Sequence, residues 1–131
     1  MGFKILVVDD EPDIVQVVSG RLTREGYEVA TAVDGEDALV KFAAFDPDLV
    51  LLDLTMPKLN GFEVLKQIRE KYTDRWRPVI IISAQTELDT LKTCYNMEAD
   101  HYLTKPCAMD VILRGIETMR SLIPLRVKQG P

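Results

Sequence analysis

Short apolar runs alternate along the chain with longer stretches in which apolar residues recur every three or four positions. The first run is Lys-Ile-Leu-Val-Val at 4–8. Pro12 follows, suited to a first helical turn, with Glu11 and Asp13 beside it where a helix dipole favours anions. Ile14, Val15, Val18 and Leu22 then keep helical spacing. Gly26-Tyr27 closes that helix and opens a second strand at 27–31. Asp34-Gly35 punctuates the chain before a helix at 36–45, which Asp46-Pro47 stops. A third strand at 48–52 is apolar on both faces as far as Asp53. Asn60 is placed to cap a helix over 61–72, with Glu63 three residues on. The Val-Ile-Ile-Ile run within 78–82 predicts a strand covered on both sides. Thr86-x-x-Asp89 has the form of a capping box for a fourth helix ending near Met97. Residues 101–104 form a short fifth strand. The last helix, 108–123, has Met109, Ile112, Leu113, Ile116 and Met119 along one side and is expected to end at Pro124. Gly20 falls inside the first helix and should cost about 1 kcal/mol relative to Ala.

Five βα units of this kind predict an α/β fold, a parallel sheet with helices on both faces. Such sheets bind ligands beyond the carboxyl ends of their strands. Four of the five strands end in residues suited to one site: Asp9-Asp10, Asp53, Ser83 and Lys105. Carboxylates gathered a few ångströms apart repel one another, and proteins rarely tolerate that without a cation. Oxygen ligands without His or Cys favour a hard ion such as Mg²⁺ over zinc. A hard cation and a lysine beside a carboxylate suit phosphoryl transfer, where positioning and charge neutralisation dominate. Asp53 is the best candidate nucleophile because it ends the central strand, and carboxylates form acyl phosphates.

Composition narrows this further. The 131 residues suit one domain, and 47% hydrophobic content excludes disorder. A net charge of −5 argues against direct nucleic-acid contact by this domain. Two cysteines, Cys94 and Cys107, make neither a disulfide framework nor a zinc site. The apolar runs are too short to span a bilayer. Residues 1–3 lead straight into the first strand without a basic leader, so a cytoplasmic location is expected.

The combination of Val-Val-Asp-Asp-Glu at 7–11, Leu-Leu-Asp-Leu-x-Met-Pro-x-x-x-Gly at 51–61, Ile-Ser-Ala at 82–84 and Tyr-Leu-Thr-Lys-Pro at 102–106 resembles the receiver domain of two-component response regulators. The resemblance covers about residues 4–123. It implies a flavodoxin-like, doubly wound sheet of five parallel strands in the order 2-1-3-4-5 with five helices. The domain would occupy 1–124, with 125–131 as a tail or the start of a linker. Asp53 would accept the phosphoryl group from a phosphohistidine of a sensor histidine kinase or a phosphotransfer protein. Asp10 and Asp53 would hold Mg²⁺, with Asp9 acting through a bound water and the Thr55 carbonyl as a further ligand. Ser83 and Lys105 would contact phosphate oxygens. Tyr102 would be the switch aromatic that turns inward as Ser83 moves. The Lys105–Pro106 bond would be cis. The fourth helix, fifth strand and fifth helix would form the signalling surface toward an output domain or downstream protein, and a surface for homodimer formation.

Two positions depart from the family pattern. Glu98 stands where Gly is common and is expected to be strained if its backbone is left-handed. Cys107 stands where an aromatic often follows Lys-Pro. The bland readings are helix capping for Asp9 and Asp10, packing for Tyr102, a simple helix start for Gly61 and an exposed loop-edge position for His101. Thr55 and Gln85 flank the pocket and are candidates for tuning the attack of water on an acyl phosphate. The expected protein is a switch that catalyses its own phosphorylation and dephosphorylation without turning over an external substrate. The alternatives are a Mg²⁺-dependent phosphohydrolase using Asp53 as nucleophile and a phosphate-independent docking module.

Overall fold

The computed structural model describes residues 2–56 and 59–129. Pro57 of the Met-Pro motif and the last two residues of the tail lie outside them. The chain forms β1 (Lys4–Val8), α1 (Pro12–Arg24), β2 (Glu28–Ala32), α2 (Gly35–Phe45), β3 (Leu49–Leu52), α3 (Gly61–Lys71), β4 (Val79–Ser83), α4 (Leu88–Asn96), β5 (His101–Thr104) and α5 (Met109–Gln129). All five strands pair in parallel in the order β2-β1-β3-β4-β5.

Strand residues alternate between two apolar layers, as a pleated sheet covered on both faces requires. Leu6, Val8, Val50 and Leu52 face Phe42, Val64, Leu65, Ile68 and Cys94 of α2, α3 and α4. Ile5, Val7, Leu49 and Leu51 face Val18, Leu22, Ile112, Ile116 and Met119 of α1 and α5. Cys94 is therefore a small apolar core residue.

The helix ends follow local chemistry. Asn60 caps α3 by accepting from the Glu63 N–H at 3.1 Å, as its position in the sequence predicts. Asp34 does the same for α2 through the Asp37 N–H. Gly26 leaves α1 at φ 97, a conformation that suits glycine. Glu98 adopts φ 68, so the strain expected there is present.

Three expectations are corrected. The capping box at α4 does not form: the backbone at Glu87 is still extended and no side chain caps the helix. The first turn closes from Leu91 N–H to the Glu87 carbonyl, so the Thr86 hydroxyl lies one residue too early. Pro124 does not end α5, which continues to Gln129. Beyond it Leu125 and Arg126 line a hollow with Trp76 and Asp100, and that packing favours the extra turn. His101 is not an exposed loop-edge residue. It is half-buried in β5 and packs toward Gly115 of α5, where a side chain would crowd its ring. Among the described residues, no helix is long and apolar enough to cross a membrane.

Candidate functional site

Strand register assembles the site. Val8 of β1 pairs with Leu52 of β3, so the next residues, Asp9 and Asp53, leave adjacent strands side by side. Asp53 N–H donates to the Val8 carbonyl at 3.0 Å. Leu52 pairs with Ile81 of β4, and Ser83 of β4 with Thr104 of β5. Lys105 extends that ladder by one residue, its N–H donating to the Ser83 carbonyl at 2.8 Å. The Lys105–Pro106 bond is cis, as the resemblance implies. Gly61 is more than a helix start. A Cβ there would collide with the backbone of Asp53 and Leu54, so glycine lets α3 begin directly against the site.

Asp9, Asp10 and Asp53 each place a carboxylate oxygen within 4.8 Å of the others. Asp9 and Asp53 are buried and Asp10 is exposed. Lys105 Nζ lies 2.8 Å from Asp9 and 3.7 Å from Asp53. Burial pushes the Asp53 carboxyl up to about 6, with the Asp9 charge adding to the effect and Lys105 and the Thr55 N–H opposing it. Burial works against the Lys105 ammonium, but the Asp9 hydrogen bond and the surrounding acids outweigh it, and its pKa lies above the ordinary lysine value.

The rest of the rim is a hydrogen-bonded chain. Ser83 is buried, and its hydroxyl accepts from the Gln85 N–H at 3.2 Å. The Gln85 side chain donates to the Thr55 hydroxyl at 3.0 Å and accepts from Thr90 of α4 at 3.2 Å. Tyr102 is half-buried and donates its hydroxyl to the Gln85 carbonyl at 2.6 Å. Burial raises its phenol above the ordinary tyrosine value, so it remains a donor at neutral pH. A mostly apolar cavity of about 580 Å³ adjoins the acids between α1 and α5, lined in part by Ile14, Val17, Ile82, Met109 and Ile112.

The structure thus gathers Asp9, Asp10, Asp53 and Lys105 in one pocket. Thr55 and Ser83 adjoin it through Asp53 and Lys105, while Tyr102 packs against the core and is linked to them through Gln85. A sequence model described as Response regulator receiver domain matches residues 5–117. The chain belongs to this family. The receiver domain is 44% identical over 106 residues to the alkaline phosphatase synthesis transcriptional regulatory protein PhoP of Bacillus subtilis, covering 81% of this chain and 43% of that protein. It spans about half the length or less of the curated relatives it matches. Among solved structures it resembles the chemotaxis protein CheY4 of Vibrio cholerae, with a TM-score of 0.85 and 31% identity over 90% of this chain and 98% of that one. It also resembles a chain of the CheX-CheY-BeF3-Mg+2 complex from Borrelia burgdorferi, with a TM-score of 0.83 and 32% identity over 89% and 88% of the two chains. The flavodoxin-like fold and strand order expected from the resemblance are those observed.

One partner in this receiver's pocket escapes the sequence reading. Glu11 Oε1 lies 3.2 Å from Lys105 Nζ. Its position before Pro12 marks it as a helix-dipole acid, and nothing local signals a partner 94 residues away.

Proposed function

We propose that this receiver domain accepts a phosphoryl group on Asp53 from a phosphohistidine and uses the added charge to reset its α4-β5-α5 surface. The observation that carries this reading is the Asp53 carboxylate, buried at a strand end, 3.7 Å from the Lys105 ammonium and within 4.8 Å of the Asp9 and Asp10 oxygens. The all-oxygen donor set fits Mg²⁺. Asp9, Asp10, Asp53 and the Thr55 carbonyl would hold it. When bound, Mg²⁺ neutralises charge on the acids and on phosphoryl oxygens.

The chain's own residues do the rest. An Asp53 oxygen forms a bond to phosphorus as the bond from phosphorus to the histidine nitrogen breaks, and the imidazole leaves with the electron pair. Lys105 then pairs with one phosphoryl oxygen and the Ser83 hydroxyl donates to another. Ser83 is tied to Gln85, and Gln85 to Tyr102 and Thr90, so its movement reaches β5 and α4 through existing hydrogen bonds. Roughly two negative charges added at Asp53 supply the bias. The reader would be an output domain, a downstream protein or a second copy on that surface, and the domain would work in the cytoplasm.

A phosphohydrolase reading has less support. A general acid would be wanted two residues beyond the nucleophile, and Thr55 there has its hydroxyl held by Gln85. The test is labelling with acetyl phosphate. Wild type with Mg²⁺ should gain an acyl phosphate that is lost in EDTA and in Asp53→Asn. Labelling retained by a folded Asp53→Asn protein rejects Asp53 as the acceptor. A folded wild type that takes no label favours the docking module. Multiple turnover of an external phosphate ester favours the hydrolase.

A further inference from the structure

Lys105 is the cation expected to meet the phosphoryl group, yet it is not hydrogen-bonded to Asp53. An ammonium has three donors. One goes to Asp9 Oδ2 at 2.8 Å and one to Glu11 Oε1 at 3.2 Å, while Asp53 Oδ2 stands off at 3.7 Å. Asp9 belongs to the acid cluster and Glu11 does not.

Glu11 is arranged for this contact. It occupies the N-cap position of α1, where a side chain ordinarily accepts from the first turn, but it makes no capping hydrogen bond. Its side chain crosses instead to the β5–α5 turn. Its backbone N–H donates to Asp9 Oδ1 at 3.0 Å, which fixes where the side chain starts. Lys105 is anchored by its backbone N–H on the Ser83 carbonyl, so the ammonium can move while the chain stays put. Closing 3.7 Å to hydrogen-bond distance requires a shift of about 1 Å.

We propose that Glu11 is a positioning residue that holds the Lys105 ammonium away from Asp53 and so restrains phosphoryl acceptance. The proposal deepens the reading of Asp53 as acceptor and rests on it. Glu11 is 59% exposed at the side chain and Lys105 only 14%, so the restraint can be reached and broken from outside. A cation satisfying Asp9 would leave Glu11 as the chief competitor for Lys105. A donor whose docking neutralises Glu11 would release the ammonium toward the acceptor.

The test is a double-mutant cycle with Glu11→Gln and Lys105→Ala in the full chain. Two quantities are read: the rate of acetyl phosphate labelling, and beryllofluoride affinity by ¹⁹F NMR in Mg²⁺. Glu11→Gln should raise both by about two- to fivefold, the size expected for an exposed ion pair. In the Lys105→Ala background the same change should do nothing. A gain that persists without Lys105 overturns the proposal, because Glu11 would then act by direct repulsion of the anion. Rates and affinities that do not rise in Glu11→Gln also overturn it. The ¹⁵N resonance of the Lys105 ammonium in metal-free protein gives a readout independent of phosphorylation. It should shift in Glu11→Gln, and an unmoved resonance counts against the contact. A wild type that takes no label while this resonance shifts indicts the Asp53 reading and leaves the Glu11–Lys105 pair standing.

Discussion

The two ends of the sheet handle charge in opposite ways. At the carboxyl end, Asp9, Glu11 and Asp53 surround one lysine, with Asp10 close by. At the amino end, Arg69, Arg75 and Arg77 meet Asp46, Asp48, Asp74 and Asp100 in mutual ion pairs. Arg77 is buried over the rings of Phe42 and Tyr72 and donates to both Asp46 and Asp74. Two of the amino-end carboxyls follow suit, whereas burial raises Asp100. Hydrogen bonds from Arg77 hold Asp46 and Asp74 below the ordinary carboxylate range, while burial and the Asp9 charge push Asp53 up to about 6. The amino end is arranged for cohesion. The carboxyl end keeps an excess of negative charge around one lysine, an imbalance of the kind that makes a perturbed cluster a functional-site candidate.

The largest effect should come from breaking the paired end. Asp100 accepts from Arg69 at 2.6 Å, from the Val79 N–H at 2.8 Å and from Trp76 Nε1 at 3.1 Å. Burial already raises its carboxyl despite these donors. Arg69→Ala removes the arginine ion-paired with Asp100 and also frees the Glu98 and Arg77 carbonyls that Arg69 holds. Loss of one member of this half-buried, charge-assisted pair predicts destabilisation by about 3 kcal/mol in urea unfolding at pH 7.5. Part of that loss should return on acidification, as Asp100 takes up a proton. A loss below about 1 kcal/mol would mean this end is no better paired than an ordinary surface.

The carboxyl end should respond with the opposite sign. A carboxyl with a folded pKa of about 6 against an ordinary 3.8 is penalised in its charged form by about 3 kcal/mol. Below pH 4 the folded and unfolded chains both hold the proton and the penalty is absent. As pH rises from 4 to 6 the unfolded chain releases its proton first, so this group's contribution to stability is lost through that window. Above about pH 7 the penalty is complete. Asp53→Asn, without Mg²⁺, should therefore be more stable than wild type by about 2 kcal/mol at pH 8, with the gain fading toward pH 4. Unfolding curves across that range decide it, and a difference independent of pH would show that Asp53 is not strained by charge.

The contrast explains what could be read before the fold was seen. Sheet, helices and strand-end acids were legible because each rests on local pattern: apolar runs for strands, helical spacing between them, Asn60 three residues before Glu63. Asp9, Asp53 and Lys105 could be brought together because parallel strands all deliver their carboxyl ends to one edge. The amino-end network was not legible. Arg77 reaches Asp46 across 31 residues, and nothing in either segment marks the pair. Glu11 and Lys105 are 94 residues apart and meet through side-chain direction, which spacing does not encode. Local rules also misled: at Thr86 the helix starts one residue later than the motif requires, and at Pro124 packing on Trp76 competes with the proline.

Pro124 carries the smallest prediction and a direct view of the paired end. A proline inside a helix forfeits a hydrogen bond and crowds the preceding turn, yet α5 continues to Gln129. Arg126 stacks on the Trp76 ring at 4.2 Å, and Trp76 in turn donates to Asp100. Arg120, earlier in the same helix, stacks on Phe3 and Tyr27. These contacts tie the distal half of the helix to the amino end of the sheet. Arg126→Ala should cost about 0.5 to 1 kcal/mol, the value of an exposed cation–π contact. Trp76 is the only tryptophan, so its emission reports the change directly. Amide exchange should quicken beyond Pro124 and stay unchanged in the first turns of α5. If exchange beyond Pro124 is already fast in wild type and Arg126→Ala leaves the emission unmoved, then the stack does not hold the helix, and the cohesion of this end stops at Asp100.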